Sequence, residues 1–203
     1  MTHDGYIKYE QHWEIAKPLT DIEPLVLMRN QLAALQWIGV YPDGVGYGNI
    51  SLRLEGADQF LISGTQTGNM LIADASHFCM VEKADINKNI LWCKGPIKAS
   101  SEALTHAAFY QSDRNICAVI HIHDAAAWKR LLFAIPTVSK EIEYGTPEMA
   151  FAMQALIHSQ QNKLCGVIVT AGHADGIFAY GDSLNSAFSV LESAMHHSPT
   201  NNG

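Results

Sequence analysis

The run Ile116-Cys117-Ala118-Val119-Ile120-His121-Ile122-His123 decides how this chain is read. It is apolar and rich in β-branched residues, which predicts a strand. Successive side chains of a strand point to opposite faces, so His121 and His123 share one face while Ile120 and Ile122 share the other. Two neutral imidazoles side by side suit a divalent transition metal. In a chain with 10 His, a surface pair at a strand end is the ordinary alternative. The pair stands out by its company, Ser100-Ser101-Glu102 upstream and His173 downstream, both at expected junctions between elements.

Around this strand the pattern predicts helices over 101–111 and 124–132. Further helices are expected over 147–158 and 183–197, with strands over 166–171 and 176–180. Nearer the N-terminus, Thr20 and Glu23 have capping-box spacing and Pro24 fits a first helical turn. Leu25, Met28, Leu32 and Leu35 continue as a helical stripe to about Trp37. Short strands follow over 50–54, 59–63, 77–81 and 90–93. This mixture predicts an α/β fold, a three-layer α/β/α sandwich with helices on both faces of a sheet. Residues 1–19 read as an N-terminal arm, 20–197 as a single domain and 198–203 as a flexible tail.

Composition narrows the function. The 203 residues are 48% hydrophobic and 16% charged, with a net charge of -7. Lysine and arginine form no block, so neither nucleic acid nor an anionic membrane is an expected partner. No apolar run reaches the length of a membrane span. Cys79, Cys93, Cys117 and Cys165 are scattered in or beside apolar runs and read as buried free thiols of a reducing compartment. Without a basic start and apolar stretch at the N-terminus, a cytoplasmic protein is expected. An acidic chain with an anionic substrate must concentrate positive charge locally, through a metal, a helix N-terminus or a lone lysine. Gly44, Gly46 and Gly48 imitate a dinucleotide fingerprint, but a helix precedes them and a strand follows, the reverse of the order that motif needs.

His173 lies between two expected strands and is the best third ligand, although alone it would read as a polar turn residue. His106, His158, His196 and His197 read as helical, structural or surface residues. Three neutral imidazoles leave a metal its full charge, which suits oxyanion stabilisation. Ser100 and Ser101 stand where a helix should start, and ordinary capping explains them in part. Glu102 follows too closely for a capping box, however, and the two hydroxyls with Lys98 could instead hold a phosphate or carboxylate. Glu102 would then be a base beside the metal. Gly48-Asn49 and Ser63-Gly64-Thr65-Gln66-Thr67-Gly68 are either hairpin turns or anion nests.

Taken in order, Gly48-Asn49-Ile50-Ser51, Ile62-Ser63-Gly64-Thr65, Ser100-Ser101-Glu102, His121-Ile122-His123 and His173 resemble the class II aldolase/adducin family. The resemblance spans roughly residues 22–195. The family includes fuculose-phosphate and rhamnulose-phosphate aldolases, ribulose-phosphate 4-epimerase, methylthioribulose-phosphate dehydratase and non-catalytic adducin-like assembly modules. It implies a mainly antiparallel central sheet and a homotetramer with active sites between subunits. It further implies that His121, His123 and His173 bind Zn2+ or another divalent transition metal, and that Glu102 is an acid/base that also touches it. Gly48, Asn49, Ser63, Gly64, Ser100 and Ser101 would hold the substrate phosphate, and Tyr144 would donate a proton. The implied function is a zinc-dependent aldehyde-lyase that cleaves a small keto-sugar phosphate through a metal-stabilised enediolate. Dehydration, epimerisation or decarboxylation at the same metal is the alternative. Adducin-type modules lose the metal ligands that this chain keeps. The chain departs from the family at Ala174-Asp175, which separate His173 from Gly176, and in a longer Ser63-to-Gly68 loop.

Overall fold

The computed structural model describes residues 6–160 and 164–196. The two-histidine run forms a strand near the centre of a nine-stranded sheet. In chain order the strands and helices are β1 (Glu10–Ile15), α1 (Glu23–Ala34), β2 (Gly39–Val40), β3 (Gly46–Tyr47), β4 (Asn49–Arg53) and β5 (Phe60–Ser63). They continue with β6 (Phe78–Asp85), β7 (Ile90–Gly95), α2 (Ala103–Ser112), β8 (Ala118–His123), α3 (Ala125–Leu131) and β9 (Thr137–Val138). The last are α4 (Pro147–Ser159), β10 (Gly166–Thr170), β11 (Gly176–Gly181) and α5 (Leu184–His196).

The main sheet runs β1-β7-β6-β5-β4-β8-β11-β10-β9, and β2 pairs with β3 apart from it. The β1/β7 and β9/β10 pairs at the two edges are parallel, and every other pair is antiparallel. Alternation along the strands divides the interior into two cores. Ala118, Ile120 and Ile122 of β8 pack with Leu25 and Leu32 of α1, Leu131 of α3 and Leu191 of α5. Val119, on the opposite face, packs with Leu104 of α2, Met153 of α4 and Phe178 of β11. The sheet therefore lies between α2 and α4 on one side and α1, α3 and α5 on the other, the expected three layers.

Three local expectations are corrected. Within the expected arm, Glu10–Ile15 pairs with β7 of its own chain, and the Tyr9 side chain is buried against the core. The segment Glu-Gln-His-Trp-Glu-Ile carries the polar residues of an edge strand and no clean apolar alternation, so its pairing could not be read. At α1 the Thr20/Glu23 capping box does not form, because the helix starts at Glu23 with Ile22 as its uncapped N-cap. That helix also stops at Ala34, and Gln36 takes a φ of 61°, so Leu35 faces solvent. At α2 neither Ser100 nor Ser101 is the N-cap; Glu102 occupies that position. The expected tail, 198–203, lies outside the described residues.

Candidate active site

The site is built where β4, β8, the β10–β11 turn and the start of α2 meet. Asn49 is the cross-strand partner of His121, and Gly176 is the partner of His123. His173 enters from the turn between β10 and β11, where its carbonyl accepts from the Gly176 N–H and Asp175 has a φ of 65°. Asp tolerates that left-handed conformation better than most residues, which accommodates the Ala174-Asp175 departure. Glu102 reaches the same point from the N-cap of α2.

The ligating atoms of His121, His123 and His173 all lie within 4.8 Å of one another, and all three residues are buried. Nε2 of His121 is 3.0 Å from Nε2 of His123 and 2.9 Å from Oε2 of Glu102. Nδ1 of His173 is 3.4 Å from Oε1 of Glu102. Asn49 Nδ2 donates to Glu102 Oε2 at 2.9 Å. Burial works to raise the Glu102 carboxyl, but the His121 and His173 rings outweigh it and hold the group well below the usual carboxylate range. Burial, with His173 and His121 nearby, holds the His123 imidazole well below its usual range, so it stays neutral.

Hydrogen bonding fixes which nitrogens are free to coordinate. His121 Nδ1 lies 3.2 Å from the Ile177 carbonyl oxygen, which only accepts, so Nδ1 donates there and Nε2 is the nitrogen turned toward the cluster. His123 Nδ1 lies 2.6 Å from the Tyr41 hydroxyl, which leaves its Nε2 facing His121. Imidazole nitrogens and an ionised carboxylate thus converge in a buried volume. Such a cluster is costly without a cation at its centre, and its donor set fits a zinc-like divalent ion.

Beside the cluster is a pocket lined by Gly48, Asn49, Gly64, Ser100, Ser101, Glu102, His123, Tyr144 and His173, together with Thr65 to Gly68. Gly48 has a φ of 78°, and its Cβ would stand 2.9 Å from Ile38 Cγ1, so glycine suits both the turn and the packing. Tyr144 stacks on His173, with centroids 4.8 Å apart, while Lys8 Nζ donates to its carbonyl and stands 3.7 Å from its ring centroid. Ser63 is placed elsewhere. Its hydroxyl accepts from the Ile50 N–H at 3.2 Å, and it is not part of the lining. Lys98 is also outside the lining; its side chain is exposed, with Nζ 5.8 Å from the Trp13 centroid. Among the described residues, no lysine or arginine lines this pocket.

The Ser63-to-Gly68 loop supplies donors. Gln66 has a φ of 58°, and the N–H groups of Gln66 and Gly68 meet no acceptor among the described residues, while Thr67 closes a turn back onto Gly64. Free N–H groups beside a left-handed residue form an anion nest. Sequence reasoning missed Tyr41, since a tyrosine ahead of a Pro-Asp-Gly turn carries no periodic signal. It placed His106 as structural or surface. The residue is fully buried, with Nδ1 2.7 Å from Ser51 Oγ, which in turn lies 2.6 Å from the Tyr110 hydroxyl.

The family model described as Class II Aldolase and Adducin N-terminal domain matches residues 41–197. No curated protein sequence matches the chain. Among solved structures, it is similar to an L-fuculose 1-phosphate aldolase with a TM-score of 0.65 and 20% identity, over 87% of this chain and 84% of that one. It is also similar to a sugar-phosphate aldolase from Thermotoga maritima, with a TM-score of 0.62 and 16% identity over 86% of this chain and 90% of that one. An L-fuculose 1-phosphate aldolase from Glaciozyma antarctica PI12 has a TM-score of 0.57 and 16% identity, over 85% of this chain and 69% of that one. At these identities the likeness is one of fold.

Proposed function

Since this chain belongs to the class II aldolase and adducin family and keeps its histidines and carboxylate in one buried cluster, we propose that it is a metal-dependent lyase acting on a small keto-sugar phosphate. The observation that carries the reading is the convergence of His121, His123 and His173 on Glu102 beside a pocket with an anion nest. His121, His123 and His173 would hold the ion, with Glu102 close enough to join them. A bound divalent metal, Zn2+ by its match to three imidazoles, supplies Lewis acidity toward the substrate's carbonyl and adjacent hydroxyl oxygens.

The chain's own groups have distinct tasks. Cleaving the carbon–carbon bond turns a substrate hydroxyl into an aldehyde, so that hydroxyl must give up its proton as the electron pair passes to the keto fragment, whose carbon then takes a proton. Glu102 moves that proton at a carboxylate oxygen, and the Asn49 amide holds the carboxylate in place. Tyr144, whose ring packs between His173 and Lys8, would serve the oxygen that becomes the aldehyde, taking up its proton in cleavage and giving it back in the reverse direction. The Gln66 and Gly68 N–H groups with Gly64, Ser100 and Ser101 bind the phosphate, and Gly48 and Asn49 shape the pocket mouth. A homotetramer in the cytoplasm accords with the sequence resemblance, and no described helix is long and apolar enough to cross a membrane.

The test is a panel of keto-sugar phosphates given to zinc-loaded protein, with released aldehyde and loss of water followed in parallel. Aldehyde release that disappears in a His121→Ala/His123→Ala variant supports the lyase. Water loss without aldehyde would move the assignment to a dehydratase at the same site, and no turnover by metal-loaded protein would overturn it.

A further inference from the structure

The acidic chain needs local positive charge for an anionic substrate, yet among the described residues no lysine or arginine lines the pocket, and Lys98 points elsewhere. Behind the wall, Lys8 stands against Tyr144 but is paired with Glu143 at 3.1 Å, whereas a second cation backs the Thr65-to-Gly68 loop without an acidic partner among the described residues. Arg29 of α1 is 1% exposed, and its guanidinium donates to the carbonyls of Thr67, at 2.5 Å, and Met70. Its remaining partner is the Asn30 amide oxygen at 3.3 Å, so no carboxylate neutralises it among the described residues. Arginine keeps its charge even when burial lowers its pKa, as burial does here.

The contacts also orient the wall. Peptides are trans throughout the described chain, so the Gly68 N–H points opposite the Thr67 carbonyl that Arg29 holds. Gly68 lines the pocket, and its N–H meets no acceptor among the described residues. Asn30 latches the far side of the same loop, donating to the Ala73 carbonyl at 3.0 Å and accepting from the Ala73 N–H at 2.8 Å. Two consecutive residues of α1 therefore fix the loop, and the first of them brings an unpaired positive charge.

We infer that Arg29 is the specificity-determining cation of the anion subsite, a positioning residue that holds the Thr67–Gly68 peptide with its N–H toward the substrate's phosphate and adds its charge from behind. This rests on the proposed anionic substrate but not on which bond is cleaved. Within a low-dielectric wall, a full charge one peptide away from a dianion is worth about tenfold in affinity or more.

The test is calorimetric titration of inorganic phosphate into the zinc-loaded full chain, for wild type, Arg29→Gln and Arg29→Lys, with zinc content and melting temperature measured on each. Arg29→Gln is expected to weaken phosphate about tenfold or more, and Arg29→Lys to restore it to within about threefold of wild type, both with full zinc content. A purely structural role would not be rescued by charge alone. If Arg29→Gln fails to fold, Arg29→Lys decides: binding within threefold supports the inference and a tenfold loss overturns it. Equal phosphate affinity in Arg29→Gln and wild type, or no phosphate binding by wild type, also overturns it. Failure of the lyase assignment would appear separately, as absent aldehyde release from a protein whose phosphate binding still depends on Arg29.

Discussion

The Tyr41 hydroxyl lies 2.6 Å from Nδ1 of His123, on the side of the ring away from His121. A ligating imidazole is oriented and made more basic by what its other nitrogen bonds, and the phenol fills that place for His123. Tyr41→Phe is therefore expected to leave the fold intact and to weaken zinc by about 10-fold or more. Competition with a fluorescent chelator reads this directly; unchanged affinity would mean that the contact does not tune the metal.

Glu102 occupies the N-cap of α2 but makes no side-chain capping bond, and its carboxylate faces His121, His173 and Asn49. As a favourable first-turn charge alone, its replacement would cost about 0.3–1 kcal/mol and spare turnover. As the acid/base, Glu102→Gln should keep a folded, metal-binding protein while lowering kcat by about 10²-fold or more. Circular dichroism, zinc content and turnover on the same preparation distinguish the two roles.

The parts of this site that were legible in the sequence are those that a periodicity exposes. Alternation put His121 and His123 on one face of β8, and the break between two apolar strands placed His173 in a turn beside them. Placement that depends on long-range packing was not legible. Lys98 looked adjacent to the anion site in sequence, but the backbone between β7 and α2 turns its side chain toward Trp13. Ser63 fits the loop motif, yet its hydroxyl serves the Ile50 N–H of the neighbouring strand. Arg29 and Tyr41 act across 38 and 82 residues of chain, and nothing local to either one marks it. The same applies to β1, whose pairing with β7 spans about the first half of the chain and leaves no apolar alternation to read.

His106 gives the protein a pH signature of its own. Burial drops its pKa from an ordinary 6.5 to about 3. Between those values the unfolded chain takes up a proton that the folded chain refuses, so stability falls as pH drops below about 6.5 and the loss levels off near the folded pKa. Above 6.5 the group contributes no slope. In urea melts of metal-free protein between pH 4 and 6, His106→Gln is expected to flatten the dependence by up to about 1.4 kcal/mol per pH unit. His123 titrates with the same sign, so only the difference between wild type and variant reports on His106. Parallel curves for the two proteins would show that His106 already takes up its proton in the folded state.

Gly68 joins the anion loop to the β2–β3 hairpin, and the space there is already full. A Cβ at this position would stand 2.1 Å from the Gly39 carbonyl oxygen and 3.0 Å from Gly46 Cα, both backbone atoms that cannot swing aside. Gly68→Ala must therefore push the loop away from the hairpin, at a cost of about 1–3 kcal/mol. The displaced peptide is the one whose carbonyl Arg29 holds and whose N–H belongs to the nest. Phosphate affinity should fall along with stability, whereas the metal, held by β8 and the β10–β11 turn, should bind as in wild type. A lowered melting temperature with full zinc content and weakened phosphate is the expected triple result. Zinc lost in proportion to phosphate would instead mean that the loop and the metal cluster move as one body.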